Sequence, residues 1–292
     1  MIKNLGPITL DHKEIYDSYF NKYAPEICEH TFASLYIWRH ANPVMAVEID
    51  ESLIILLESQ NKIFIYGTPL GHISITDAFR DTSTLLDKPL TAIGLLTDKA
   101  VATLCDGHWQ IAEDRNNFDY IYLQRDIAKL EGRKYHRKRN LINQCLGAHN
   151  CLYEEIAGSN IEEVRDMLKR WKKAHRHNTH PDLHYEHLAL NDLFDNYEAL
   201  NVMGGAIRVD GNIEAFSIAD RLNDNTAVVH FEKATTEIKG LYQLINKWFA
   251  ENPLSNFEFI NREEDSGIEG LIKAKQSYYP IRLQKKYQAY PL

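Results

Sequence analysis

The dipeptide Asp210-Gly211 constrains this chain more than any other local feature. It separates two alternating runs, 205–209 and 212–221. An Asp-Gly pair in that position makes a two-residue hairpin, because both turn residues must reach positive φ. Asn223-Asp224-Asn225 then turns the chain into a third strand, 226–233 (TAVVHFEK). The period becomes helical over 236–251, where Ile238, Leu241, Leu244, Ile245, Trp248 and Phe249 share one side. A strand at 257–262 (FEFINR) follows. Ser266-Gly267-Ile268-Glu269 reads as a capping box for a helix to about 277, and 281–288 alternates as a last strand. Upstream, 151–157 reads as a strand. Ser159-Asn160-Ile161-Glu162 is a second capping box, before a helix with Val164, Leu168 and Trp171 on one face, and 184–200 is another helix.

The first half gives a fainter version of the same order. A strand is expected at 8–10, mostly helix over 13–38, and a hairpin of 44–49 with 53–58 around Asp50-Glu51. Strand 62–66, helix 75–86, strand 90–96, a short helix at 97–105 and strand 118–124 follow. The fold class expected is α+β: two tandem units, each a mixed twisted sheet flanked by helices. The boundaries expected are 1–125, a basic linking helix at 126–146, and 147–292 with the active cleft.

Charge is unevenly spread. The net charge is −8, which argues against a nucleic-acid coat. Yet 129–139 (KLEGRKYHRKR) holds six basic residues and one acid, and 273–286 holds five basic residues and no acid. Two basic runs on an acidic body suggest a phosphate or polyanion held locally; the competing reading is two solvated faces. No apolar stretch is long enough to span a bilayer, and the N-terminus has no signal-peptide core. The four cysteines form no CxxC pair and read as reduced thiols, so a cytoplasmic location is expected.

The residues EGRKYHRKRNLINQ (131–144), GGAIRVDGNIEAFSIADRL (204–222), HFEKATTEIKGLYQLINKWF (230–249) and INREEDSGIEGLIKAKQSYYPIRLQKKY (260–287) carry a resemblance. Together they resemble the C-terminal catalytic domain of phosphatidylglycerol lysyltransferases, a tandem GNAT-like fold related to the Fem peptidyltransferases. The resemblance implies transfer of an aminoacyl group from aminoacyl-tRNA to an amine or hydroxyl acceptor, a small molecule or a lipid headgroup. The lipid-modifying members are joined to a membrane-spanning region, and no such region is expected from these residues, which puts a phospholipid acceptor in question. A GNAT enzyme using acyl-CoA carries a Q/R-x-x-G-x-G/A loop at the start of its central helix, where backbone N–H groups bind phosphate. Aligned on Gly240, that loop has Glu237 and Tyr242 in place of the expected residues. Acyl-CoA is thereby weakened as a donor and remains the alternative, beside a non-catalytic binding protein with the same scaffold.

Acyl transfer needs a base, a donor for the developing oxyanion and a proton for the leaving group. By the resemblance, the acyl carbonyl lies where the strands 226–233 and 257–262 part. His230 and Glu232 are two apart on a strand, hence expected on one face as base and orienter; the bland reading is two solvent-facing polar residues. Tyr278 inherits the leaving-group acid by position, against a packed aromatic beside Tyr279. Asn261, Arg262, Glu263 and Asp265 are the candidate substrate contacts, with Glu263 or Asp265 receiving an amino group, against acids that stabilise a helix N-terminus. Arg133, Lys134, Arg137, Lys239, Gly240, Lys273 and Lys275 are the candidate donor-phosphate residues. The histidines at 175, 177, 180, 184 and 187 do not make a metal site, because Pro181 breaks the helical spacing of His180 and His184. No metal or cofactor is expected besides the donor substrate itself.

Overall fold

Hydrogen bonding sorts the strands of the computed structural model into two seven-stranded sheets. The structure describes residues 2–104, 107–175 and 182–292. The first half supplies β1 (Ile2–Pro7), β2 (Val44–Ile49), β3 (Ser52–Ser59), β4 (Lys62–Tyr66), β5 (Leu90–Leu96), β6 (Trp109–Glu113) and β7 (Asp119–Leu123). The second supplies β8 (Cys151–Glu155), β9 (Met203–Val209), β10 (Asn212–Arg221), β11 (Thr226–Ala234), β12 (Phe259–Asn261), β13 (Arg282–Gln284) and β14 (Tyr287–Pro291). Each half gives one strand to the other. β7 lies between β13 and β12 in the second sheet, and β14 lies between β5 and β6 in the first. Sheet membership therefore crosses the sequence division at residue 125. Both sheets are mixed, with β4–β5 and β11–β12 parallel inside otherwise antiparallel neighbours.

The helices are α1 (Lys13–Tyr23), α2 (Phe32–Ile37), α3 (Ile75–Ser83), α4 (Asp98–Val101), α5 (Gln124–Lys129), α6 (His136–Ala148), α7 (Ile161–Ala174), α8 (Asp182–Asp195), α9 (Tyr197–Leu200), α10 (Leu241–Glu251) and α11 (Glu269–Gln276). One hydrophobic cluster joins the halves: Tyr16, Phe32 and Leu53 pack with Leu190, Phe216 and Phe231. Burying each such side chain stabilises by about 1.5–3 kcal/mol, and here the gain depends on both halves at once.

The Asp210-Gly211 turn forms as expected, with φ of 48° and 97°, and β9 and β10 pair across it. Other expectations are corrected. The first strand is 2–7 rather than 8–10, because its pairing with β2 runs toward the N-terminus. The helix over 13–38 breaks at Ala24, which takes φ 45° before Pro25, since a residue preceding proline avoids the helical region. Strand β6 was not foreseen. The strand expected over 281–288 is two strands, in different sheets. Neither capping box forms. Asn160 holds the N-cap position of α7 with no side-chain bond into the helix, its Oδ1 accepting instead from Ala157 N (2.9 Å), and α11 starts after Ile268 with no side-chain cap.

Candidate functional site

Strands β11 and β12 pair through only three rungs, ending at Val228 opposite Asn261. β11 then runs on to Ala234, while the chain after β12 turns away through Glu263 at φ 57°. The cause lies on the other side of β11. Its register with β10 slips so that Ile218 faces Phe231 and Ala219 faces Val229, leaving His230 as the extra residue of a β-bulge. A bulge bends its strand and adds twist, which ends the pairing with β12 and opens a wedge.

The bulge also breaks the alternation that would put His230 and Glu232 together. His230 Nδ1 bonds Glu263 Oε1 at 2.8 Å, with Asp220 nearby. Glu232 accepts from Asn246 Nδ2 of α10 at 2.7 Å and from Arg262 Nη2 at 3.3 Å. The acid that orients the imidazole is thus Glu263. Burial alone would lower the His230 pKa; the Glu263 carboxylate and the charge of Asp220 outweigh it and raise the value above that of an ordinary imidazole. Three polar atoms here are buried without a partner: His230 Nε2, Arg262 Nη1 and Asn246 Oδ1. Orphaned buried polar atoms are destabilising, and these three, near the parting of β11 and β12, make it the candidate site.

Tyr278 is 6 % exposed, and burial pushes its phenol pKa well up. Its backbone oxygen accepts from Tyr135 (2.9 Å). Lys138 Nζ lies 3.5 Å from its ring centroid and Arg262 Cζ 5.0 Å. Asn261 is fully buried, its Nδ2 on Asp119 Oδ2 (2.9 Å) and its Oδ1 on Glu263 N (2.8 Å), so it holds the turn that carries Glu263. Asp265 is 1 % exposed and committed within the chain, to Arg115 (3.0 Å), the Tyr120 hydroxyl (2.7 Å) and Gly267 N (2.8 Å).

The two basic runs behave differently. Arg133 and Lys134 are exposed in the 3-10 turn before α6 and Arg137 in its first turn, Lys134 facing Asp126 at 3.3 Å. The 273–286 run does not form a patch. Lys273 pairs with Glu269 (2.5 Å) and Lys285 with Glu113 (2.8 Å). Lys275 turns inward onto the backbone oxygens of Arg262 and Glu264, and burial lowers its pKa. Lys239 is exposed. Gly240, at φ 91°, abuts α6 so closely that an added Cβ would lie 2.1 Å from Leu141 O. That glycine serves helix packing where an acyl-CoA phosphate would need open amides.

Sequence reasoning missed a second polar group, between the sheets. Lys286 is fully buried, with Nζ 2.6 Å from Asp119 Oδ1, 2.7 Å from both Glu29 oxygens and 3.5 Å from Cys28 Sγ. Cys28, Glu29, Asp119 and Glu264 bring donor atoms within 4.8 Å of one another, a spacing compatible with a metal. The ammonium already stands among them as the cation, and burial pushes the Cys28 thiol up, away from the thiolate a metal needs. Of the histidine run, His177 and His180 lie outside the described residues. His175 stacks on Trp171 at 4.0 Å and His187 lies 3.4 Å from Asn191. Cys28, Cys145 and Cys151 are thiols, and Cys105 lies outside the described residues. No helix among the described residues is long and apolar enough to cross a membrane.

The family model described as phosphatidylglycerol lysyltransferase, C-terminal, matches residues 20–290. The chain belongs to that family. A search of curated proteins finds no match. Among solved structures, a conserved protein of unknown function from Bacteroides thetaiotaomicron is 31 % identical, with TM-score 0.93 over 100 % of both chains. L-PGS from Bacillus licheniformis is 12 % identical, with TM-score 0.65 over 95 % of this chain and 91 % of its own. FemX is 9 % identical, with TM-score 0.67 over 98 % and 96 %. The fold is that of tandem GNAT-like proteins.

Proposed function

We propose that this chain moves an aminoacyl group from an aminoacyl-tRNA, or a similarly activated ester, to an amine or hydroxyl acceptor. The observation that carries the reading is the wedge opened by the bulge at His230, lined by a carboxylate-bound imidazole whose Nε2 is unpartnered. Family membership supports the same class of transfer. With the proton of His230 on Nδ1 and bonded to Glu263, Nε2 takes the proton of the attacking amine or hydroxyl. Backbone amides of β11 beyond Val228 meet the oxyanion. Tyr278, kept protonated by burial, gives a proton to the leaving ribose oxygen. Acyl-CoA fits less well, because the backbone of α6 covers Gly240 at the start of α10.

The test is single-turnover transfer from charged tRNA. His230→Gln should slow transfer by about 10²-fold or more while charged-tRNA binding holds. An unchanged rate in that variant would remove His230 as the base. The wild-type rate should rise with pH through a value above the ordinary imidazole pKa, since only the neutral ring accepts a proton.

A further inference from the structure

The two strands that the halves exchange begin at one buried ion pair. Asp119 is the first residue of β7, and Lys286 stands just before β14. Both are fully buried, with the Lys286 ammonium 2.6 Å from Asp119 Oδ1. The other oxygen of Asp119 is also in use. It accepts from Cys28 N at 3.0 Å and from Asn261 Nδ2 at 2.9 Å. Asn261 Oδ1 in turn accepts from Glu263 N at 2.8 Å, and Glu263 Oε1 meets His230 Nδ1 at 2.8 Å. An unbroken run of polar contacts therefore leads from the crossing of the exchanged strands to the imidazole at the wedge.

The last links are strained. Glu263 takes φ 57°, a left-handed conformation that a residue with a Cβ keeps only where its surroundings fix it. Asn261 fixes it from one side. From the other, Lys275 donates to the backbone oxygens of Arg262 and Glu264. Asn261 is itself fully buried, so its amide holds its orientation through the bond that Asp119 accepts. Charge alone does not link the two ends. The charges acting on His230 are those of Glu263 and Asp220, and those acting on Lys286 are Asp119, Cys28, Glu29 and Glu264. No group belongs to both sets.

We infer that Lys286 and Asp119 are positioning residues for the His230–Glu263 pair and act on it through Asn261. The inference rests on the aminoacyl-transfer reading for its effect on rate. The aim of the base in the second sheet is thereby set by groups brought to it from both halves. The sign of one shift separates positioning from direct electrostatics. Removing the Lys286 charge strands the carboxylates of Asp119 and Glu29, and added negative charge would raise the His230 pKa. Loss of aim in Glu263 lowers it, because that carboxylate holds the value up.

The experiment titrates His230 by NMR in the full chain, unaltered and as Lys286→Met and Asn261→Leu. Both variants should lower the His230 pKa by about one unit. On the high-pH plateau, kcat for transfer from charged tRNA should fall about tenfold or more with KM unchanged. Asn261→Leu leaves Asp119 paired with Lys286 and carries the test should Lys286→Met fail to fold. In the unaltered chain, the Asn261 side-chain amide resonance should follow the His230 titration; an indifferent resonance would overturn the inference without any variant. A His230 pKa that stays or rises in a folded variant would also overturn it, whatever the loss in Tm, since a purely structural pair leaves the imidazole as it was. Added to Glu263→Gln, Asn261→Leu should shift His230 no further; a further fall would mean that Asn261 acts by another route. The two readings fail separately. Intact transfer with an unmoved His230 pKa in both variants sinks the positioning role alone. Absence of transfer from any ester, with the pKa fall present, sinks the transfer reading alone.

Discussion

Replacing Lys286 by methionine should destabilise the chain more than any surface change. The ammonium is fully buried between Asp119, itself fully buried, and Glu29, whose side chain is 12 % exposed, at 2.6 and 2.7 Å. Methionine keeps most of the volume and removes the charge, so two carboxylates are left facing each other in a low-dielectric site. Breaking a buried ion pair in this way costs about 3–5 kcal/mol. For a chain of this size that is a fall in Tm on the order of 10 °C. The deficit should also depend on pH. Burial already raises the Glu29 pKa to about 7, although Lys286 pulls it down. Without the ammonium the folded state holds that proton to still higher pH, while the unfolded carboxyl ionises at its ordinary pKa. Stability of the variant relative to the parent should therefore be lower at pH 8 than at pH 5, the fall coming above about 7, where the parent has given up the proton and the variant has not. Urea unfolding at both pH values measures it. Adding Asp119→Asn should recover part of the loss, because the second substitution removes one of the stranded charges. A variant within about 2 °C of the parent at both pH values would refute the ion-pair account of this buried group.

Gly240→Ala should lower stability by about 2–4 kcal/mol, from a positive φ and a Cβ pressed on Leu141 O, read as a lower urea midpoint; an unchanged midpoint would contradict the packing role. Glu263→Gln should lower the His230 pKa seen by NMR, because the carboxylate that stabilises the imidazolium is gone, and should move the transfer pH profile to lower pH; an unmoved pKa would mean that the pair does not act together. Charge reversal at Arg133 and Arg137 should weaken charged-tRNA binding and flatten its salt dependence by about one log unit per lost phosphate contact; an unaltered slope would exclude that face from the RNA path.

What the sequence revealed was local. The Asp210-Gly211 hairpin needs only two residues able to take positive φ, and β2, β4 and β5 have the expected bounds because alternation marks them. The exchange of β7 and β14 between sheets depends on pairing across more than a hundred residues, so no run of residues announces it. The site divides in the same way. His230, Glu232 and Arg262 were legible as polar residues at the parting strands, and Tyr278 only by its position in the resembled family. The partnership of His230 with Glu263 was not, because the bulge arises from register with β10, and alternation is blind to it. Asn246 did leave a signal, as the amide buried among Leu244, Ile245 and Phe249 of α10. Lys286 and Cys28 left none, being 258 residues apart.

The most direct test follows the label on a pool of tRNA charged with radioactive amino acids, incubated with the chain and with amine, hydroxyl and phosphatidylglycerol acceptors. Label should leave the RNA for an acceptor at a rate that His230→Gln cuts by about 10²-fold. Label that stays on the RNA at the uncatalysed rate with every acceptor, together with acetyl transfer from acetyl-CoA by the same preparation, would contradict the account.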